Sequence, residues 1–247
     1  MDRLIHTALA GLRGAMNRQA ATANNLANAS TTGFRGELAA VRPLWLHGAS
    51  HGARAPSSEE VLGADMRPGT VAETGRALDV ALGGDALLAV QAADGEEAYT
   101  RRGDLLVSDS GLLTTGDGRP VLGDAGPVTL PPADGVRIAD DGAVWVVPAG
   151  GDPNRPQRLD MLKLASPAGS RIAKGLDGLF RVEGGGALPA DPDARLRAGA
   201  LEGSNVQATQ ALVDMVEASR DWDTQLKLIT TARELDGASA ELMRLPG

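Results

Sequence analysis

Residues Asn205 to Leu242 read NVQATQALVDMVEASRDWDTQLKLITTARELDGASAEL, the clearest long helical pattern in the chain. Its apolar or small residues recur alternately every four and three positions, which is the repeat of a helix that packs lengthwise against another helix. Ser204 and Asn205 can accept a hydrogen bond from a free N–H of the first turn, so they predict its start. The stripe consists of Ala208, Leu212, Met215, Ser219, Trp222, Leu226 and Ile229.

Residues 1–28 carry a second stripe of the same spacing, which predicts a second helix. The N-terminal helix is rich in arginine and the C-terminal helix in Asp and Glu, so opposite charge favours pairing of the two chain ends. An ordinary helix pair inside a monomeric domain is the alternative. The second stripe consists of Ile5, Ala8, Leu12, Ala15, Gln19, Thr22 and Leu26, widened by Leu9, Met16 and Ala23.

Asparagine and threonine crowd the end of the first helix, at Asn24, Asn25, Asn28 and Thr32, and Gly33 and Phe34 follow them. Such side chains compete for backbone hydrogen bonds, and glycine permits positive φ, so the helix should end here in a tight turn.

Between the helices the period of the pattern changes from helical to alternating. Short apolar runs in residues 76–200 are separated by Asp-Gly pairs, which are a strong hairpin signal between strands. Residues 36–75 are rich in proline and glycine and have no clear period, which predicts a connecting segment with few fixed elements. The fold class is therefore α+β, with the terminal helices paired as a coiled coil around a hairpin-rich β domain of barrel or sandwich type. The expected parts are 1–35 (N-terminal helix), 36–75 (connecting segment), 76–200 (β domain) and 201–247 (C-terminal helix).

Composition restricts the possible functions. The 247 residues carry a net charge of −8, so a nucleic-acid phosphate backbone would be repelled. The chain has no cysteine and only three histidines, which leaves few candidates for a catalytic pair or a metal site. His47 and His51 are four residues apart, but Gly48 and Gly52 oppose the helix that a metal site would need. No phosphate-binding loop or hydrolase motif is present. Neither an enzyme nor a cofactor is expected.

Export signals and membrane segments are also missing from the pattern. The N-terminus lacks a basic start followed by an unbroken apolar run, and no segment approaches the roughly 20 apolar residues of a membrane span. No direct membrane insertion is expected.

Six segments, taken together and in order, resemble the bacterial flagellar rod and hook proteins. They cover nearly the whole chain, and within the family the opening, length and ending are most similar to proximal rod subunits, with the distal rod protein as the alternative. The segments are ANNLAN (23–28) followed by TGFR (32–35), TGRALDVAL (74–82), YTRRG (99–103), PVLG (120–123) and LEGSNV (201–206).

The resemblance implies a structural subunit of the basal-body rod, the shaft that transmits torque. It implies that the terminal helices form a coiled coil that packs with those of neighbouring rod proteins, and that the β domain forms an outer layer. It also implies type III export without a cleaved signal, and a location in the rod that crosses the periplasm. The expected subunit-interface residues are Ile5, Leu9, Leu12, Met16, Asn24, Asn25, Leu26, Asn28, Phe34, Leu212, Met215, Trp222, Leu226 and Ile229.

Stripes that contain Ala, Ser, Thr and Gln bury less apolar surface than a leucine zipper does, so both chain ends are expected to be disordered in the free monomer and to fold on assembly. Two other classes remain open from the residues alone. One is a binding module whose helices merely dimerise it, which a deep polar pocket in the β domain would favour. The other is a cell-surface filament subunit.

Overall fold

The computed structural model describes residues 2–43 and 57–242, with side chains described for residues 9–38, 63–235, 237 and 238. His47, His51 and the side chain of Ile5 lie outside the described residues. Two long helices, α1 (Asp2–Ala27) and α2 (Ala208–Leu242), stand at the two ends of the chain. Both predicted helices are therefore confirmed, and the chain is α+β.

Eighteen strands lie between the helices in the described part of the chain. In chain order they are β1 (Glu37–Pro43), β2 (Ser57–Ala64), β3 (Val71–Glu73), β4 (Val80–Leu82), β5 (Leu87–Gln91), β6 (Glu97–Thr100), β7 (Leu105–Val107), β8 (Leu113–Thr115), β9 (Leu122–Gly123), β10 (Gly126–Pro127), β11 (Ala133–Ile138), β12 (Ala143–Pro148), β13 (Gln157–Met161), β14 (Leu164–Ala165), β15 (Ile172–Lys174), β16 (Phe180–Val182), β17 (Leu196–Ala198) and β18 (Ala200–Glu202).

The largest described sheet has five strands in the order β14-β5-β6-β16-β15, and a second has the order β11-β12-β13. The other strands form pairs, including β17 with β4 and β18 with β3, which join the end of the β region to its beginning. Large aliphatic side chains such as Leu88, Val90 and Leu113 are fully buried in the main core. The alternating runs predicted as strands are confirmed. The barrel or sandwich form stays a prediction.

Four of the five Asp-Gly pairs form the turns that they predict, because Gly95, Gly118, Gly142 and Gly178 adopt positive φ. The fifth prediction, a turn at Asp134-Gly135, is wrong. Gly135 lies inside β11 opposite Val147, at a register shift that begins after Ala133. A β-bulge accommodates glycine without a chain reversal. The Asp-Gly dipeptide alone therefore cannot distinguish a hairpin turn from a bulge within a strand.

The prediction of few fixed elements in residues 36–75 is also wrong. β1 and β2 pair with each other. β3 pairs with β18, the last strand of the β region in chain order. These pairings depend on partners distant in the sequence, which local propensity does not report.

The chain divides into two compact units. The helical unit comprises Met1–Ala27, Glu37–Gly63 and Gln207–Gly247, and the β unit comprises Asn28–Gly36 and Ala64–Val206. The segment that directly follows α1, Asn28–Gly36, therefore belongs to the β unit. The four-part division drawn from the sequence stays a prediction.

Candidate assembly site: the helix pair and the chain junction

Within the helical unit α1 and α2 pack against each other in opposite directions. Arg18 Nη1 lies 3.1 Å from Asp221 Oδ2, and Gly11, earlier in α1, lies beside Gln225, later in α2. A Cβ added at Gly11 would stand 3.2 Å from the Gln225 side chain, so the glycine permits a close approach of the helices. The ion pair agrees with the predicted attraction between basic and acidic chain ends.

Small residues line the pairing face. Ala15 and Ala21 of α1 and Ala218 of α2 are each no more than 3% exposed. Buried or half-buried residues of α2 recur alternately every four and three positions, as a helix that packs lengthwise requires. They are Ala211, Met215, Ala218, Trp222, Gln225, Ile229 and Ala232.

The predicted stripe of α2 is correct at Met215, Trp222 and Ile229, displaced by one residue at three positions, and wrong at Ala208, which is exposed. Leu212, Ser219 and Leu226 are exposed, while their neighbours Ala211, Ala218 and Gln225 lie on the packed face. The small Ala211 and Ala218 let the helices approach closely, and Gln225 packs beside Gly11. The four-and-three repeat alone does not distinguish the row of Leu212, Ser219 and Leu226 from the row of Ala211, Ala218 and Gln225.

In α1 the predicted stripe is correct at Ala15 and Thr22, which are buried, and at Leu12 and Leu26, which are half-buried. Apart from the three residues that widen the stripe, only Gln19 is exposed among the stripe residues whose side chains are described, and its neighbour Arg18 pairs with α2 instead.

Large apolar side chains are exposed on the outside of the pair. Leu9 is 39% exposed, Met16 53%, Leu212 52% and Leu226 40%. All four were expected to lie at a subunit interface, and they are available for one. The stripe did not include four further residues of this kind, namely Val213, Val216, Leu228 and Leu235.

Asn24 and Asn25, which were expected at a subunit interface, have partners within their own chain. Asn25 Oδ1 accepts from the Glu37 N–H at 2.7 Å, and Asn25 Nδ2 donates to the Glu37 carbonyl at 2.9 Å. Asn24 Nδ2 donates to Glu37 Oε1 at 2.6 Å. The two amides therefore secure the start of β1 to the end of α1.

Within the β unit, three charged residues form a buried cluster where the two ends of the unit meet, which we call the chain junction. Arg35 Nη2 lies 2.7 Å from Glu202 Oε1, and Arg101 Nη2 lies 2.6 Å from Glu202 Oε2. All three side chains are at most 2% exposed. Burial lowers the pKa of Arg101 below its ordinary value, and the charge and hydrogen bond of Glu202 oppose that shift. A buried carboxylate thus connects the segment after α1 to the segment before α2.

Backbone contacts surround the cluster. The Gly33 N–H donates to the Glu202 carbonyl at 2.7 Å, and the Gly69 N–H donates to Glu202 Oε1 at 2.9 Å. A Cβ at Gly33, whose φ is +66°, would overlap the Arg101 carbonyl oxygen, so only glycine fits this position. The turn predicted after α1 is confirmed, because the Thr31 N–H donates to the Asn28 carbonyl at 3.0 Å.

Asn205 has a different role from the one predicted. Its Oδ1 accepts from the Gly36 N–H at 2.8 Å, and its Nδ2 donates to the carbonyls of Asp65 and Arg67 at 2.7 and 2.9 Å. The first hydrogen bond of α2 runs from the Ala211 N–H to the Gln207 carbonyl. Asn205 therefore joins its own segment to those at Gly36 and at Asp65–Arg67. It does not cap α2, because its side-chain amide is already fully hydrogen-bonded.

Phe34 and Lys174 complete the junction. Lys174 Nζ lies 3.7 Å from the centre of the Phe34 ring and donates to the Arg35 carbonyl at 2.9 Å. The cation–π contact gives Phe34 a partner within the β unit. The sequence did not predict the Arg35–Glu202–Arg101 cluster, although all three residues fall in the segments TGFR, YTRRG and LEGSNV that carried the resemblance.

Within residues 2–43 and 57–242 no group of three acidic or histidine side chains could hold a metal ion. Neither of the two helices is both long enough and apolar enough, in its described residues, to span a membrane.

Comparison with known proteins shows which family the chain resembles. Three protein families match the chain: "Flagella basal body rod protein" at residues 5–35, "Flagellar hook protein FlgE/F/G D1 domain" at 81–146 and "Flagellar basal body rod FlgEFG protein C-terminal" at 197–242. The flagellar basal-body rod protein FlgF of Salmonella typhimurium is 42% identical over 99% of this chain and 100% of its own length. FlgF of Escherichia coli is 41% identical over the same shares, and FlgG of Bacillus subtilis is 28% identical over 95% and 97%.

Proposed function

We propose a mode of assembly for this chain, which belongs to the FlgF family of flagellar basal-body rod proteins: its terminal helices pack, through their exposed apolar faces, against helices of neighbouring rod subunits. As a member of that family the chain is a structural subunit of the flagellar basal body and not an enzyme. It assembles with other flagellar rod proteins.

The observation that carries the proposal is the inverted distribution of side-chain size in the helix pair. The fully buried residues of the two helices are alanine, glycine and Thr22, with larger side chains such as Met215 and Trp222 only half-buried beside them, while other leucine, methionine and valine side chains are exposed outside. Fully burying one such large side chain contributes roughly 1.5 to 3 kcal/mol, so the outer faces hold most of the apolar stabilisation that the pair can gain. Exposed apolar surface of this extent marks an interaction site.

On α1 the exposed face lies opposite α2. Leu9 and Met16 are seven residues apart, so they stand on one side of the helix. Leu9 and Arg18 are nine residues apart, which is about two and a half turns, and Arg18 pairs with α2. A helix from a neighbouring subunit can therefore pack on the outer side of α1.

On α2 the exposed apolar residues lie on two flanks. Leu212 and Leu226 are fourteen residues apart and share one flank, whereas Leu228 and Leu235 share another. The step from Leu212 to Leu228 rotates by about 160°, which places the flanks on nearly opposite sides. We propose that α2 contacts two neighbours in a coiled-coil packing, and that this shared packing transmits torque.

The proposed position is the proximal rod, across the periplasm. The identities of 42% and 41% to FlgF proteins, against 28% to the FlgG of Bacillus subtilis, favour this position over that of a distal rod protein. The small residues between α1 and α2 stabilise the isolated pair weakly, so both helices fold fully only on assembly. Unfolded ends suit passage through the flagellar type III export apparatus, without a cleaved signal.

The experiment is complementation of a deletion strain, with basal bodies isolated and the incorporated chain quantified. Full-length chain should restore rods and motility, whereas a truncation ending at Gly203 and the variant Leu226→Asp should not. Lys227→Gln is the matched control, because it changes the net charge by the same amount at an exposed position between the two flanks of α2. Equal incorporation of Leu226→Asp and Lys227→Gln would contradict the proposal.

Amide hydrogen exchange on the purified chain tests the coupled folding. Residues 208–235 should exchange rapidly in the free chain and become protected in isolated basal bodies. Strong protection in the free chain would show that the helix pair folds without neighbours.

A further inference from the structure

The outer face of the β11-β12-β13 sheet carries a row of side chains that neither the junction nor the helix pair uses. The strand register places Arg137 and Arg158 on either side of Trp145. The Arg137 guanidinium lies 5.4 Å from the centre of the indole, within the range of a cation–π contact. Val144 and Val146, on the opposite face of the same strand, are buried in the core.

This Arg-Trp-Arg row has the composition of a protein-binding surface. Tryptophan and arginine dominate binding hot spots, and the half-buried Trp145 is one of only six aromatic residues in the chain. Arg67, Arg76, Arg119 and Arg181 of the β unit each pair with a carboxylate. In contrast, neither arginine of the row pairs with a carboxylate among the described residues; Arg158 contacts the sulfur of Met161, at 3.8 Å.

A complementary feature lies elsewhere on the β unit. The tip of the β5–β6 hairpin exposes Asp94, Gly95 and Glu96. Gly95 has positive φ and open space where a Cβ would stand, so its bare backbone can approach a flat surface. The carboxylate of Asp94 is 53% exposed and only loosely paired, at 3.7 Å from Arg181. Two carboxylates thus flank a glycine, as two arginines flank the indole.

We propose that the acidic tip of one copy of this chain docks on the Arg-Trp-Arg row of the next copy. Gly95 packs on the indole of Trp145, and Asp94 and Glu96 pair with Arg137 and Arg158. Arg137 and Arg158 lie on the strands on either side of Trp145, two strand spacings or about 10 Å apart, so each can meet one carboxylate of the tip. Gly95 meets the exposed part of the indole beside the Arg137 guanidinium. The basic row attracts the acidic tip of another copy. The rest of the chain, with a net charge of −8, repels another copy, so this pair of opposite charges sets where two copies can touch.

The contact joins two different patches, so it is heterologous. A heterologous contact continues from copy to copy and produces a ring or a helix instead of stopping at a dimer. This inference rests on the proposed function, because it supplies a lateral contact between copies that the helices bring into one rod.

Cysteine cross-linking in isolated basal bodies tests the contact, and the chain has no cysteine of its own. A variant carrying both Glu96→Cys and Arg158→Cys, treated with a short bismaleimide, should give a ladder of dimers and higher multimers. Each single variant should remain monomeric. The control variant carries Glu96→Cys and Arg171→Cys, because Arg171 is another exposed arginine of the β unit.

The possible results separate the two proposals. Absence of the wild-type chain from basal bodies would contradict the proposed function. Incorporation of the Glu96→Cys/Arg158→Cys variant without cross-linking above the control would overturn the tip-to-row contact alone. Cross-linked dimers from a single variant, with no ladder from the double variant, would also overturn it, because they indicate a two-fold contact.

Charge reversal is a second test that does not depend on cross-linking. Arg137→Glu combined with Arg158→Glu should lower incorporation about tenfold, as expected for the loss of a hot spot. Adding Asp94→Arg and Glu96→Arg to the same chain should restore most of it. No restoration, in a protein whose thermal unfolding matches that of the wild type, would overturn the inference.

Discussion

The helical unit and the β unit place their large apolar side chains in opposite ways. In the β unit Leu87, Leu105 and Leu113 are 0% exposed and lie in its hydrophobic core, although Val71, Leu106, Val107, Leu159 and Leu176 are exposed. In the helical unit Leu212 and Leu228 are 52% and 56% exposed, while alanines fill the interior. The β unit is stabilised mainly by its own core, whereas the helical unit needs neighbours to cover its apolar faces. Effects on folding should therefore concentrate in the β unit, and effects on assembly in the helical unit and in the proposed tip-to-row contact.

The largest expected effect on folding is that of Glu202→Gln. The change removes the carboxylate between Arg35 and Arg101 and leaves two buried cations without a counter-charge, which should cost about 3 to 5 kcal/mol of the free energy of unfolding. Urea unfolding of the purified chain measures it. Glu183→Gln, at an exposed position, is the control and should change little. A similar loss for both variants would mean that the cluster is not specially stabilising.

Ala218→Leu should have an intermediate effect, restricted to the helical unit. Ala218 is 1% exposed between the helices, and a larger side chain there would force them apart at a cost of about 1 to 3 kcal/mol. Incorporation into basal bodies should fall, while unfolding of the β unit should not change. Val213→Leu, at a position of α2 that is 51% exposed, is the matched control. Normal incorporation of Ala218→Leu would refute the displaced packing face.

Asp177→Asn should have a smaller effect, and one that depends on pH. The hydrogen bond from Arg181 lowers the pKa of Asp177 below its ordinary value. A carboxyl with a lower pKa in the folded state stabilises above its unfolded pKa, near 4, and this contribution is lost as the pH falls through the folded value. For a pair this exposed we expect about 0.2 to 1 kcal/mol at pH 7, with the two proteins converging as the pH falls below the folded pKa of Asp177. Urea unfolding of both proteins at several pH values measures this. A difference in free energy of unfolding that stays constant with pH would mean that the effect comes from packing and not from the charge of Asp177.

The smallest effect on folding is expected for Leu212→Ser, within about 0.5 kcal/mol for unfolding of the β unit. Incorporation into basal bodies should nevertheless decrease, because a flank of α2 loses an apolar contact with its neighbour. Sedimentation and unfolding of the free chain together with the basal-body assay separate the two results. Loss of β-unit stability would show that the two units are not independent in this respect.

Much of the arrangement could be predicted from local patterns. The two helices, the strands and four Asp-Gly turns follow from periodicity and turn chemistry, which act over a few residues. The bulge at Gly135 and the pairing of β3 with β18 could not be predicted in this way, because their partners are distant in the sequence. Of the candidate interface residues, Leu9, Met16, Leu212 and Leu226 are exposed, whereas Asn24, Asn25 and Phe34 engage their own chain.

Short-range periodicity and motif residues were enough to predict the fold class, the presence of both helices and the family. They did not predict the start of α2, because the Asn205 amide bonds to residues distant in the sequence. The packing also had to show that Ala218, and not Ser219, faces α1, and that Glu202 joins Arg35 to Arg101. A stripe shifted by one residue keeps the same repeat, so the closeness of the backbones has to select the face, and a buried ion pair exists only after distant segments have met.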